Sequence, residues 1–184
     1  MAFFSRSSTR GNAERFMHWF EPHMDAAWNL ARWLLRDDAA AEDAVQESFV
    51  RAFTALDQFD GHNAKAWLLT IVRNRCYSWL KQNATDSSAL RLDDDLFDTD
   101  ALPELADHAS PELQLAQAET RELLHKALAE LPATFREALI LKELEDLSYK
   151  EIATITQVPI GTVMSRLARG RTLLKTSLQR LTLP

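Results

Sequence analysis

Apolar residues that recur three and four positions apart constrain this chain more than any other feature. Between residues 37 and 56 the seam runs Ala41, Ala44, Val45, Ser48, Phe49, Ala52, Phe53 and Leu56. That period lines one face of a helix, whereas the side chains of a strand alternate at period two. The same spacing returns over 14–35 (Phe16, Phe20, Met24, Ala27, Trp28, Ala31 and Leu35) and over 64–83 (Trp67, Leu68, Ile71, Val72 and Trp79). It appears twice more, over 112–131 and 135–144, and only four Gly and six Pro interrupt 184 residues. The expected fold is therefore all-α, and the length allows one domain or two small ones.

Charge divides the chain. The net charge of −6 is not spread evenly: residues 1–85 are neutral, 86–112 carry −8, and 113–184 carry +2. The acidic middle, rich in Asp, Ser and Ala with Pro103 and Pro111, shows no sustained period. It reads as an interdomain linker. The expected organisation is an extension (1–13), a helical domain (14–85), an acidic linker (86–111) and a second helical domain (112–184). A linker so acidic could screen a basic face of the second domain.

Such a face exists near the C-terminus. Ser148 followed three residues later by Glu151 forms a capping box, in which each side chain satisfies an orphan backbone N–H. Ile152 and Ile155 give the helix that follows a buried side, and Val158-Pro159 breaks it. Val163, Leu167, Gly170 and Leu174 then resume at helical spacing. Thr162, Ser165, Ala168, Arg169 and Thr172 fall opposite, flanked by Arg166 and Arg171. From Ile152 to Pro184 there is no Asp or Glu against five Lys and Arg. A helix with an apolar back and a small, hydroxylated, cationic front suits the DNA major groove, so the pair reads as a helix-turn-helix. Its turn, Thr156-Gln157-Val158, lacks the glycine such turns often carry.

Two features of the first domain invite partners. Asp43, Gln46, Glu47 and Val50 share the outward face of the 37–56 helix, which reads either as a solvated acidic surface or as a docking face for a basic helix. After the loop signal Phe59-Asp60-Gly61-His62-Asn63, the next helix interleaves Arg73, Asn74, Arg75, Tyr77, Ser78, Trp79 and Lys81. Cations for a backbone and ring faces for unstacked bases are what hold single-stranded nucleic acid. An enzyme is not indicated. No phosphate-cradling Gly loop or nucleophile–base pair is present, and His18 and His23, five apart, are poorly spaced as ligands. No metal or cofactor is expected. The single cysteine, Cys76, excludes an intramolecular disulfide and reads as a buried thiol suited to a reducing compartment. Without a signal-like N-terminus or an apolar run of about 20 residues, the chain is expected to be cytoplasmic, with no membrane insertion.

Together, EDAVQESFVRAF (42–53), AWLLTIVRNR (66–75), LPATFREALILKELEDLSYKEIA (131–153) and PIGTVMSRLARGR (159–171) resemble bacterial sigma factors of the extracytoplasmic-function (ECF) type, within the sigma-70 family. The resemblance spans 14–83 and 112–180, in the family's order. It implies a non-catalytic subunit that binds core RNA polymerase, through the β′ clamp helices and the β flap, and directs it to promoter DNA, first double-stranded and then melted. Asp43, Gln46, Glu47 and Val50 match the helix that docks on the clamp. Gly61, His62, Asn63, Ala64 and Lys65 match a loop that captures a base flipped from the minus-ten element. Asn74 matches a contact to that base, with Arg73, Arg75 and Ser78 on the same helix. Thr162, Ser165, Arg166, Arg169 and Arg171 match the helix that reads the minus-thirty-five element, and Met164 stands where the family often has a basic residue. The resemblance also implies an anti-sigma factor as partner. The competing reading is a helix-turn-helix regulator acting without polymerase. Residues 37–83 separate the two, because such a regulator needs no docking helix, loop and aromatic–cationic helix in succession.

Overall fold

The computed structural model describes residues 6–83 and 122–182, and the regular elements among them are all helical. In chain order these are α1 (Arg6–Phe20), a 3₁₀ turn (Glu21–His23), α2 (Met24–Leu35), α3 (Asp38–Thr54), a second 3₁₀ turn (Leu56–Gln58) and α4 (Ala64–Asn83). The second module has α5 (122–129), α6 (Ala133–Leu139), a π turn (Ile140–Leu144), α7 (Tyr149–Thr156) and α8 (Ile160–Thr182). The linker 86–111 and the first part, 112–121, of the helix expected over 112–131 lie outside the described residues. α1 starts at Arg6, inside the stretch read from the sequence as an extension.

One helix expected from the sequence is broken. The stripe from residue 14 to 35 is two helices, because Pro22 sits in the 3₁₀ turn between them. Proline lacks an N–H, and its ring meets the carbonyl four residues earlier, so α1 cannot run through it. The restart at Met24 shifts the phase: Met24 is 46% exposed instead of joining the buried stripe.

α2, α3 and α4 form a bundle whose contact faces are unusually small. Ala27, Ala31, Ala41, Ala44 and Ala52 are fully buried and let the helix backbones approach closely. Asp37 caps α3 by accepting the Ala40 N–H at 2.8 Å. α1 closes the open end of the bundle with aromatic rings. Phe16 meets Phe49 and Phe53, while Phe20 and Trp19 meet Phe59, and Trp67 completes the cluster. Cys76 is buried as expected, and burial pushes its thiol up to about 12.

In the second module, buried Arg136 crosses to the end of α5 and donates through Nη1 to the carbonyls of Ala129 (3.0 Å) and Leu131 (3.3 Å). Burial lowers its pKa to about 10, still well above neutrality. α8 crosses α6 at Gly170, where an added Cβ would stand 3.2 Å from Leu139 Cγ and 3.3 Å from the Phe135 carbonyl oxygen. The helix expected over Phe135–Leu144 widens after Leu139 into the π turn, where the Glu145 N–H donates to the Ile140 carbonyl at 3.1 Å. The capping box of α7 forms in full: Ser148 accepts from the Glu151 N–H, and Glu151 accepts from the Ser148 N–H. In the turn without glycine, Gln157 takes the left-handed conformation itself, with φ 55°.

The two modules share one continuous apolar core. α4 packs against α7 and α2 against α6.

Candidate nucleic-acid and polymerase interface

Three surfaces carry the residues singled out in the sequence. The first is the outer face of α3. Ala41, Ala44, Ser48 and Ala52 point into the bundle, so Asp43, Gln46, Glu47 and Val50 point out, and all four are exposed. Val50 is 65% exposed, a large apolar side chain with no partner among the described residues. Glu47 is not free. Both of its oxygens accept from Arg75, one at 3.0 Å, and this hydrogen bonding holds its carboxyl below the usual range. Acid on α3 and cation on α4 therefore meet, and Arg75 turns toward the α3 face that carries Asp43 and Glu47.

The second surface is the loop before α4. Gly61, at φ 82°, occupies a conformation open to glycine and costly for other residues. The His62 N–H donates to Asp60 Oδ1 at 2.9 Å, which folds the loop into a tight Asx turn. Asn63 caps α4, its Oδ1 accepting the Ala66 N–H at 3.0 Å. Ala64 and Lys65, grouped with the loop in the sequence reading, already belong to the first turn of α4. The loop, Trp67 and Ile71 form one wall of a cleft of about 600 Å³, and Lys150, Glu151, Thr154 and Gln157 of the second module form the other. Asn74 and Ser78, further along α4, are exposed.

The side chains expected to meet the melted strand are not all free. Asn63 Nδ2 donates to Glu151 Oε1 at 2.6 Å. Lys65 Nζ lies 2.8 Å from both the carboxylate and the backbone carbonyl of Glu145, which also accepts from Asn29. Arg73 Nε donates to Glu137 Oε1 at 2.6 Å, and its guanidinium stacks 4.3 Å above the Tyr77 ring. The Tyr77 hydroxyl lies 3.2 Å from the other Glu137 oxygen. Burial raises the pKa of Glu137, with Arg73 opposing that shift, and burial likewise drives the Tyr77 hydroxyl upward. Glu137, Glu145 and Glu151 lie in the second module, far away in sequence. Only Glu137, a charge abutting the apolar run Ala138–Leu141, carried a sequence signal that it needed a distant partner.

The third surface is α8. Val163, Leu167, Gly170 and Ser177 are buried, with Leu174 half-buried, so the expected phase is observed with Ser177 added. Ser165 and Arg169 are exposed, and Thr162 is partly exposed. Arg171 reaches back to Glu143 at 2.7 Å. Arg166 is more enclosed than the flanking position expected of it. It is half-buried, with Nη1 sealed from solvent, and its charge acts on Glu137 and Tyr77 beneath.

A two-module helical protein with an exposed acidic helix face, an aromatic–cationic helix and a helix-turn-helix is the class that this geometry defines. Residues 19–85 match the model for Sigma-70 region 2, and residues 121–174 match that for Sigma-70, region 4. The chain is 36% identical to the RNA polymerase sigma-H factor of Pseudomonas aeruginosa over 151 residues, covering 80% of this chain and 77% of that one. It is 33% identical to the ECF RNA polymerase sigma-E factor of Haemophilus influenzae over 154 residues, 83% and 80% of the two chains. Among solved structures, the sigma factor RpoE in complex with the anti-sigma factor NepR from Bartonella quintana superposes with a TM-score of 0.70 at 31% identity, covering 90% of this chain and 98% of that one. The chain belongs to the sigma-70 family, in its ECF branch. It is a non-enzymatic subunit that binds core RNA polymerase and directs promoter-specific initiation, which sets aside a regulator working without polymerase. Among the described residues, no helix is long and apolar enough to cross a membrane.

Proposed function

We propose that the three surfaces divide the work of initiation. Asp43, Gln46, Glu47 and Val50 on α3 dock on the β′ clamp helices. Gly61, His62, Asn63, Lys65, Arg73, Asn74 and Ser78 receive the melted minus-ten strand, with Arg75 bracing the junction of this surface with α3. Thr162, Ser165, Arg169 and Arg171 on α8 read the minus-thirty-five duplex, with Arg166 joining them once it turns outward. In this reading residues 14–85 and 112–184 are the two working domains, the second also meeting the β flap, and the linker 86–111 threads between them through the polymerase. The chain works in the cytoplasm, where core polymerase is found. The Bartonella complex supports an anti-sigma factor as a further partner of this chain.

The observation that carries this reading is the clean division of α8, with Val163, Leu167 and Gly170 sealed and Ser165 and Arg169 outward. Division of labour also follows from magnitudes. A reader that neutralises about four phosphates loses roughly two orders of magnitude in affinity between low and physiological salt, and one arginine–guanine pair adds only about 1–3 kcal/mol of discrimination. Two such readers carried on one polymerase act at high effective concentration, and capture of a flipped base offsets the few kcal/mol of unstacking.

Run-off transcription with core polymerase and fragmented genomic DNA tests the proposal. The chain should create discrete new start sites. Val50→Asp should abolish them together with core association, and Arg169→Ala should weaken upstream recognition while leaving association intact. Start sites unaffected by both substitutions would overturn the assignment of these faces.

A further inference from the structure

We propose that Ile160 and Met164 read thymine: the two side chains form an apolar ridge on the outward side of α8 and pack on 5-methyl groups in the major groove of the upstream element. This inference deepens, and rests on, the reading of α8 as the helix that enters the duplex.

Ile160, Met164 and Ala168 stand four residues apart, so they line up along one side of α8. That line is separate from the sealed one of Val163, Leu167 and Gly170, and it runs beside Ser165. Ile160 is 46% exposed and Met164 53%, so neither serves chiefly to fill the core. One exposed apolar side chain on a surface needs no explanation. Two on neighbouring turns of a face otherwise hydroxylated and cationic do. Gly161, beside them, has open space where a Cβ would stand. Packing within the fold does not call for glycine there, and the backbone at that point lies bare to whatever approaches.

The chemistry of the groove selects the base. Among the groups that base pairs present in the major groove, the thymine methyl is the apolar one, and the others donate or accept hydrogen bonds. An isoleucine offers no donor or acceptor, and a thioether only a weak acceptor. Packed against any other base edge, they would strip water from polar groups and leave them unpaired, which works against the wrong sequence. Position agrees. A recognition helix brings its N-terminal residues to the base edges, and Ile160 and Met164 occupy the first two turns of α8. They lie about 6 Å apart along its axis, roughly two base steps. Charge identifies the occupant as DNA rather than an apolar groove on a protein. The exposed residues around the ridge are Ser165, Arg169, Arg171, Thr172 and Lys175, three of them cations. No Asp or Glu occurs from Ile152 to Pro184. A cation at position 164 would hold a phosphate in any sequence, whereas the thioether makes binding depend on the base.

The test uses holoenzyme assembled from the full chain and core polymerase. Run-off transcription on fragmented genomic DNA supplies start sites, and their upstream elements should share a thymine, on one strand or the other, at a fixed position. Duplexes carrying the strongest element are then made with single thymines replaced by uracil, which lacks only the 5-methyl. Uracil should weaken binding about fourfold at the contacted positions, the effect of one buried methylene. Met164→Ala should weaken the thymine duplex by a similar factor, become indifferent to uracil at one position, and leave core association unchanged. Ile160→Ala should do the same at a neighbouring position. Met164→Lys should bind the thymine and uracil duplexes alike, with a salt dependence steeper by about one ion.

An alignment without a fixed thymine overturns the proposal, as does uracil sensitivity that survives both alanine substitutions. Loss of core association in Met164→Ala overturns it too, and assigns the ridge to a protein partner. Arg169→Ala separates the two levels of the argument. If it weakens duplex binding while uracil is tolerated everywhere, the methyl contacts alone fail. If it leaves duplex binding unchanged as well, the reading of α8 as the duplex reader fails with them.

Discussion

The two cationic surfaces of this molecule are built from the same residue types and held in opposite ways. On α4, Lys65, Arg73 and Arg75 each end on a carboxylate, and Glu137 beneath Arg73 has no exposed side-chain surface. On α8, Arg169 is exposed without an ion pair among the described residues, and the Arg171–Glu143 pair is half in solvent on both sides. Exposed pairs of that kind contribute about 0–1 kcal/mol and are screened by salt, whereas breaking a buried pair strands a charge. The surface proposed to face the duplex is therefore available at once. On the surface proposed to face the strand, Lys65 and Arg73 are held, across the seam between the modules, by carboxylates of the second module.

Substitutions should show this asymmetry most strongly at the seam. Arg73→Ala leaves the Glu137 carboxylate buried with only the Tyr77 hydroxyl within hydrogen-bonding distance, and should cost the closed form about 3 kcal/mol, read as an earlier urea transition with an increased radius of gyration. A wild-type transition would mean that the pair is not buried in solution. Gly170→Ala tests the hidden side of α8. Its Cβ meets Leu139 and the Phe135 carbonyl, and the strain of about 1–3 kcal/mol should outweigh the roughly 1 kcal/mol that alanine gains in helix propensity. Net destabilisation in urea is expected, and stabilisation would show that α6 and α8 can separate freely.

Acidity should act next in size, and on the seam alone. His125 stacks 4.3 Å from Trp33 across the modules, and its pKa lies below the ordinary 6.5 through burial first and Arg32 second, Arg32 being itself paired with Asp38. His23 is lowered by burial and by Lys65, with Glu145 opposing. A histidine held neutral by closure binds fewer protons closed than open, so its contribution is complete above pH 6.5 and is lost as pH falls below it. The radius of gyration should rise between pH 7.5 and 5.5, less so in His125→Gln, and an unchanged value would rule out the coupling. Arg169→Ala, last in this order, should move stability by no more than about 0.5 kcal/mol while weakening duplex binding, a separation that no seam residue should reproduce.

The parts of this arrangement that were legible in the sequence are those written in local period and capping. The 64–83 helix, the α3 seam, the box at Ser148 and Glu151, and the phase of α8 need only neighbours within a few residues. Pro22 was also there to be read, but a continuous apolar stripe on both sides of it hid the break. Gln157 shows that a helix-turn-helix can place a side chain in the left-handed region where glycine is usual, because the flanking helices fix the turn. The seam was not legible. Which glutamate meets Asn63, Lys65 or Arg73 depends on how two modules distant in sequence come together, and no periodicity records that. The same limit hid the partners of Arg75 and Arg166, whose types suit DNA and whose nearest charges lie on other helices.

The most direct test follows the seam itself during initiation. Donor and acceptor dyes placed through Gln58→Cys and Thr154→Cys flank the cleft, and Cys76, buried with its thiol pushed up to about 12, is shielded from the labelling reagent. Energy transfer should be high in the free chain and fall sharply once core polymerase and promoter DNA are bound. Transfer that stays high in a complex actively making transcripts would contradict the proposal that Asn63, Lys65 and Arg73, held by the second module in the free chain, receive the melted strand.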